Sequence, residues 1–189
     1  GKAFSAGADL KEVSEHDPAR VANAWQEADA NCTKPIIAAI DGYCVAGGLE
    51  LALRCDIRVA TRQSSFVLPE PRRSLLAGYG LHHLSRMIPL GEALLIQLTG
   101  APITAERAYQ IGLIQKLVAD RAALVKEVDA IAEDIMRCAP LAVQAIKRIV
   151  KSGRNVPPEY SLKFAEPIRK FINGTEDRLE GPRAFIEKR

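Results

Sequence analysis

Aromatic residues are scarce in this 189-residue chain, at 5%, and they form no stripe interleaved with basic side chains. With a formal charge of only +3, that absence argues against a nucleic-acid surface. There are four cysteines, Cys32, Cys44, Cys55 and Cys138, but no C-x-x-C pair and no histidine at zinc-ligand spacing. The expectation is buried free thiols in a reducing compartment, with neither a metal nor a catalytic thiol. G-x-G-x-x-G and G-x-x-x-x-G-K-[ST] are both missing, which leaves no phosphate-binding loop. No apolar run reaches the length of a membrane span, and no secretory signal is present. No membrane contact is expected, and the cytoplasm is the expected location, or an organelle matrix if a targeting peptide has been removed. Internal repeats, low-complexity tracts and flexible linkers are also lacking. The chain has no initiator methionine and opens at Gly1 into Ala3-Phe4-Ser5, which reads as the edge of a strand, so upstream sequence is expected.

What is there suffices for a sizeable core without disulfides. Ile36 to Ile40 is a short apolar run bounded by Pro35 and by Asp41-Gly42, as a buried strand would be. Asp56 to Ala60 and Ser65 to Leu68 read as two more strands. Gly47 to Arg54 fits a helix of about two turns between the first two. Strand, glycine turn, helix, strand is an α/β unit. Residues 104–189 are nearly all helical in pattern. Thr104 is an N-cap for a helix ending at Gly112, and Ala122 to Arg137 repeats apolar residues at helical spacing. Pro140 opens a further helix that Gly153 stops. A helix from Glu159 to Ile172 is expected to kink at Pro167, and a last one from Glu176 to Lys188 to break near Gly181-Pro182. We divide the chain at 103/104, into an α/β core and a helical region whose apolar faces call for partner subunits.

Three segments carry chemistry. In Ala46-Gly47-Gly48-Leu49-Glu50 the helix N-terminus leaves N–H groups pointing outward, with roughly half a positive charge from the aligned peptides. Gly47 admits a ligand oxygen, and Glu50 follows about one turn later near the same face. The competing explanation is that Gly47-Gly48 only lets the helix pack on a strand. A carboxylate set among Leu49, Leu51 and Leu53 weighs against that, because burying an acid without partners is costly. In Ser5-Ala6-Gly7-Ala8-Asp9 a strand ends, small residues turn the chain, Asp9 can cap a following helix and Ala8 N–H can face a ligand. Pro69-Glu70-Pro71 then fixes a second carboxylate just after a strand.

These segments resemble the crotonase superfamily, which includes enoyl-CoA hydratases and isomerases. The resemblance rests on residues 4–12, on Pro35 to Gly42, on Gly47 to Leu51, on Cys55-Asp56-Ile57 and on Pro69-Glu70. Leu98-Thr99-Gly100, Ala108, Gly112-Leu113 and residues 180–188 extend it over essentially the whole chain. It implies a crotonase-like spiral of ββα units followed by a helical trimerisation region, assembled as a homotrimer or a dimer of trimers. It implies that Ala8 and Gly47 are the two backbone donors that bind the thioester oxygen of an acyl-CoA. It implies that Glu50 and Glu70 hold and split a water, and that Ala6, Asp9, Leu10 and Lys11 lie in the segment lining the CoA cleft. Both glutamates together favour hydration of a 2-enoyl-CoA, with coenzyme A as part of the substrate and no other cofactor.

The pattern also departs from the family. Ala46 stands where a glycine is frequent. After Glu70, where relatives carry an apolar stretch, then glycines and Thr-Gln-Arg, this chain has Pro71-Arg-Arg-Ser-Leu-Leu-Ala-Gly-Tyr-Gly-Leu-His-His83, which places the acyl group in question. Arg72 and Arg73 would meet an acidic acyl tail or a CoA phosphate, or else face solvent or a subunit. His82 and His83 read as helix-start or surface residues, and Trp25 as part of a helical lid. The alternatives are double-bond isomerisation by one glutamate, another CoA-ester lyase or hydrolase activity at the same oxyanion site, and a catalytically silent acyl-CoA or RNA binding homologue.

Overall fold

The structure, a computed structural model, describes residues 1–9, 11 and 32–188. Leu10 and Trp25, and with Trp25 the expected lid, lie outside the described residues. The described chain forms two compact units. The first takes residues up to 11 and 36–130, the second 32–35 and 131–188. Residues 104–130 thus stand with the first unit.

Two sheets build the first unit. One has the order β1 (Ala3–Ser5), β3 (Tyr43–Val45), β5 (Ser65–Val67) and β6 (Ile103–Thr104), parallel except for the last pair. The other is the parallel set β2 (Ile37–Ile40), β4 (Ile57–Thr61) and β7 (Lys116–Val118). In β4 the residues Arg58 to Thr61 are all buried, as strands covered on both faces are. The expected strands at 36–40, 56–60 and 65–68 are all present within a residue of their expected ends. Three strands escaped the sequence: β3 lies between Gly42 and Ala46 where a turn was expected, and β6 and β7 lie inside the region read as helical.

The chain passes from one sheet to the other at Asp41-Gly42. Gly42 has φ 89°, and a Cβ there would sit 2.5 Å from Lys2 O, so only glycine fits. Around it Asp41 accepts from Thr61 Oγ1 at 3.0 Å and from Gln63 Nε2, while Ser64 Oγ bridges Gly42 N–H and Ile40 O.

Helix α1 (Gly47–Arg54) buries Gly48, Leu49, Ala52 and Leu53 on one face. Full burial of leucines 49 and 53 contributes roughly 1.5–3 kcal/mol each. Gly47, Glu50 and Arg54 fall on the opposite stripe. The C-terminal end of α1 is closed by the buried Arg58, whose Nη1 donates to Cys55 O at 2.9 Å and Ala52 O at 3.4 Å, and whose Nε donates to Leu113 O. Helices α2 (Tyr79–Met87), α3 (Leu90–Thr99) and α4 (Ala105–Gln110) complete this unit, and α5 (Arg121–Met136) runs on into the second. Thr104 Oγ1 accepts from Arg107 N–H at 3.2 Å, the expected N-cap.

In the second unit α6 (Pro140–Gly153) and α7 (Pro158–Asn173) pack closely where Gly153 meets Ser161. Helix α8 (Asp177–Ile186) runs unbroken through Gly181-Pro182, against expectation. Its residues are almost all exposed, so the Arg178 carbonyl that loses a donor to Pro182 stays in reach of water. Large apolar side chains are exposed on all three helices, including Ile146, Val150, Tyr160, Leu162, Phe171, Phe185 and Ile186. Among the described residues no helix is long and apolar enough to cross a membrane.

Candidate active site

The turn after β1 and the start of α1 touch. A Cβ on Gly7 would lie 3.0 Å from Gly47 N, and a Cβ on Gly47 would lie 3.5 Å from Gly7 Cα and 3.9 Å from Ala8 N. Gly7 has φ 84°, which a side chain rarely adopts. The Ala8 and Gly47 amides therefore belong to one small volume that side chains would fill. Gly47 is the first residue of α1, and the first-turn amides of a helix have no acceptor within it.

Ala46, just before it, is held by its own N–H donating to Val67 O at 2.9 Å, with φ 53° and ψ −125°. A positive φ is one that a glycine adopts freely and an alanine does not, so the alanine is a strained residue. Ala46→Gly should therefore raise stability by about 1 kcal/mol, the relieved strain exceeding the extra freedom of the unfolded chain. Thermal melting reads this as a rise of about 2–4 °C. An unchanged or lower midpoint would remove the strain argument.

Glu50 leans from α1 toward α2. Its Oε1 accepts from Gly80 N–H at 2.8 Å, in the first turn of α2, where the helix dipole favours an acid. Gly78 and Gly80 flank the carboxylate, and at Gly80 a Cβ would crowd Leu68 Cδ1 at 3.0 Å and only touch Glu50 Oε1 at 3.4 Å. Nothing in the sequence reading pointed to these glycines. Arg54, on the same stripe of α1, lies over the Tyr79 ring at 4.0 Å, and His83 stacks on that ring at 3.6 Å. His83 thus sits mid-helix with Nδ1 3.0 Å from Tyr79 O, while His82 is exposed.

Glu70 opens a single turn of 3-10 helix, Glu70–Arg73. Its Oε2 is buried and has no hydrogen-bond partner among the described residues. Burial pushes its carboxyl above the usual carboxylate range, and the charge of Glu50 adds to the push. Its own backbone N–H and then Arg73 pull the other way. The two acids are therefore electrostatic neighbours with different surroundings: one hydrogen-bonded at a helix start, the other buried and unpartnered.

The proposed CoA segment is exposed throughout its described part, at Ala6, Asp9 and Lys11. Leu10 lies outside the described residues. Asp9 Oδ1 accepts from Lys11 N–H at 2.9 Å, the contact an N-cap makes. Of the thiols, Cys44 is fully buried and pushed up to about 12 by that burial. Against expectation, Cys32 and Cys55 are only half-buried and Cys138, two residues past the end of α5, is exposed. Among the described residues no group of three or more His, Cys, Asp or Glu is placed to hold a metal ion.

The pattern of the enoyl-CoA hydratase/isomerase family matches residues 1–189. The chain belongs to the enoyl-CoA hydratase/isomerase family. It has the crotonase fold: the crystal structure of enoyl-CoA hydratase from Mycobacterium tuberculosis H37Rv superposes with a TM-score of 0.90 at 39% identity, over 100% of this chain and 75% of that one. The (E)-benzylidenesuccinyl-CoA hydratase of Thauera aromatica is 43% identical over 157 residues, which are 82% of this chain and 61% of the relative. The 2,3-dehydroadipyl-CoA hydratase of Escherichia coli K12 is 35% identical over 192 residues, 98% of this chain and 74% of the relative. The chain thus spans about three fifths to three quarters of these relatives. All three of these proteins are named as hydratases.

Proposed function

We propose that the chain adds water across the 2,3 double bond of a 2-enoyl-CoA. The observation that carries this reading is the pair of acids in unlike environments, Glu50 tied to Gly80 N–H on the helix whose first residue, Gly47, meets Gly7, and half-buried Glu70 with its Oε2 buried and unpartnered. The amides of Ala8 and Gly47 hold the thioester oxygen and take up charge as water attacks C3. Glu50 orients that water and accepts its proton. Glu70, whose burial favours the protonated form, delivers a proton to C2. One proton has then moved from Glu70 to Glu50, and solvent restores it. The reaction is redox-neutral and uses no cofactor beyond the coenzyme A of the substrate, whose arm lies along Ala6, Asp9, Leu10 and Lys11. Two relatives are named for acyl groups, benzylidenesuccinyl and dehydroadipyl, that carry a carboxylate besides the thioester. The exposed apolar faces of α6, α7 and α8 support self-association as a trimer or a dimer of trimers.

The test follows the conjugated enoyl-thioester absorbance across short, long, branched and aromatic 2-enoyl-CoAs. It assays double-bond migration in parallel, for the wild type and for Glu70→Gln. Hydration by the wild type that Glu70→Gln loses supports the reading. A wild type that never hydrates, with both proteins shifting the double bond, makes the chain an isomerase.

A further inference from the structure

The turn that carries Glu70 also carries two arginines that hydration does not use. Arg72 is engaged: its Nε donates to Thr99 O at 2.9 Å and its stem lies against Gly100, whose Cβ would be 3.2 Å from Arg72 Cγ. Arg73 is different. It is exposed, and it makes no hydrogen bond or ion pair with any described residue. In a 3-10 turn residues three apart eclipse, so Arg73 shares the face of Glu70. Its charge reaches Glu70 without closing an ion pair with it. Leu75 and Leu76, 40% and 80% exposed, follow it in the chain and add apolar side chains to the same segment. The phosphates of coenzyme A lie a whole pantetheine arm from the thioester. A cation one short turn from the acid that serves C2 therefore meets the acyl part of the substrate.

We propose that Arg73 is a specificity-determining residue that anchors a carboxylate at the far end of the acyl chain, so that the site takes CoA monothioesters of unsaturated dicarboxylic acids. The planar guanidinium matches a carboxylate with two parallel hydrogen bonds, and the apolar chain between thioester and carboxylate covers the leucines. This rests on the hydratase reading and goes beyond it to the acyl group.

The experiment compares hex-2-enoyl-CoA with hex-2-enedioyl-CoA, which share six carbons and differ in the terminal carboxylate. The enzymes are the wild type, Arg73→Met and Arg73→Lys. The wild type should prefer the diacid. Arg73→Met should lose about 10- to 100-fold in kcat/KM on the diacid, mostly through KM, with little change on the monoacid. Arg73→Lys should recover part of the loss. An equal loss on both substrates overturns the proposal in favour of a phosphate contact. An equal fall in kcat with a shifted pH profile does so in favour of tuning Glu70, and no change on either means a solvated side chain. Calorimetric binding of hexanedioyl-CoA and hexanoyl-CoA, which carry no double bond, separates this proposal from the reaction itself. Weaker binding of the diacid alone by Arg73→Met upholds the anchor even if neither enoyl ester is hydrated, and equal binding of both by all three proteins refutes it.

Discussion

Glu70→Gln should fold normally and lose hydration by about 100- to 10,000-fold in kcat, the range of one positioned general acid. Glutamine keeps the shape of the side chain but has no proton to give to C2. KM should change less than kcat, because the thioester oxygen is still gripped by two amides and the CoA arm is untouched. The same variant should alter stability in a way that only a displaced titration explains. Burial holds Glu70 above its ordinary value of 4.5 in the folded chain. As pH rises past that value the unfolded chain releases its proton while the folded chain keeps it. The folded state then binds more protons, so wild-type stability falls until pH passes the raised value, and it levels off beyond. Glutamine has no such step. Melting temperatures taken from pH 4 upward should show a wild-type decline that Glu70→Gln lacks. Parallel curves would mean that Glu70 titrates normally, which would remove the basis for making it the acid.

How much of this was legible beforehand depends on what kind of group makes the contact. Side chains in local patterns were readable: Ile36 to Ile40 and Asp56 to Ala60 declare strands, and Thr104 declares its helix. The adjacency of Gly47 and Glu50 follows from helical geometry alone. Backbone groups that act across long stretches of chain were not readable. The amide that holds Glu50 belongs to Gly80, thirty residues away, and an amide leaves no mark in a sequence beyond the small residues that admit it. Strands β3, β6 and β7 are two or three residues long and take their stability from their neighbours in the sheet, so no local period announces them. Arg58 reads as a surface cation. Its burial becomes sensible only once three carbonyls, from Ala52, Cys55 and Leu113, are seen to converge on it. Chemistry carried by side chains on one element was visible, and chemistry carried by the main chain between elements needed coordinates.

The Gly47-Gly48 pair, for which the sequence offered a packing role or an oxyanion role, divides between the two. Gly48 is the packing residue. A Cβ there would lie 2.7 Å from Ser5 Cβ and closer still to Ser5 O, on a strand already paired with β3. Ser5 O belongs to the backbone and cannot swing aside, so Gly48→Ala must push α1 off β1. Overpacking of this kind typically costs about 1–3 kcal/mol, which lowers the melting temperature by about 2–4 °C per kcal/mol. The displaced helix carries Gly47 N–H and Glu50 with it, and a misplacement of about 1 Å can cost roughly 100-fold in rate. Gly47 faces open space instead, where a Cβ would make only ordinary contacts, at 3.5 Å with Gly7 Cα and 3.9 Å with Ala8 N. Gly47→Ala should therefore melt at or above the wild-type temperature, yet place a methyl group where the thioester oxygen has to approach both amides. Its kcat/KM should fall by about 100-fold, as when one oxyanion donor is lost. Two adjacent glycines would thus respond oppositely in stability and alike in activity. A Gly48→Ala protein as stable as wild type would show that α1 does not need its contact with β1. A fully active Gly47→Ala would place the thioester oxygen elsewhere and leave the two acids without the oxyanion they are proposed to serve.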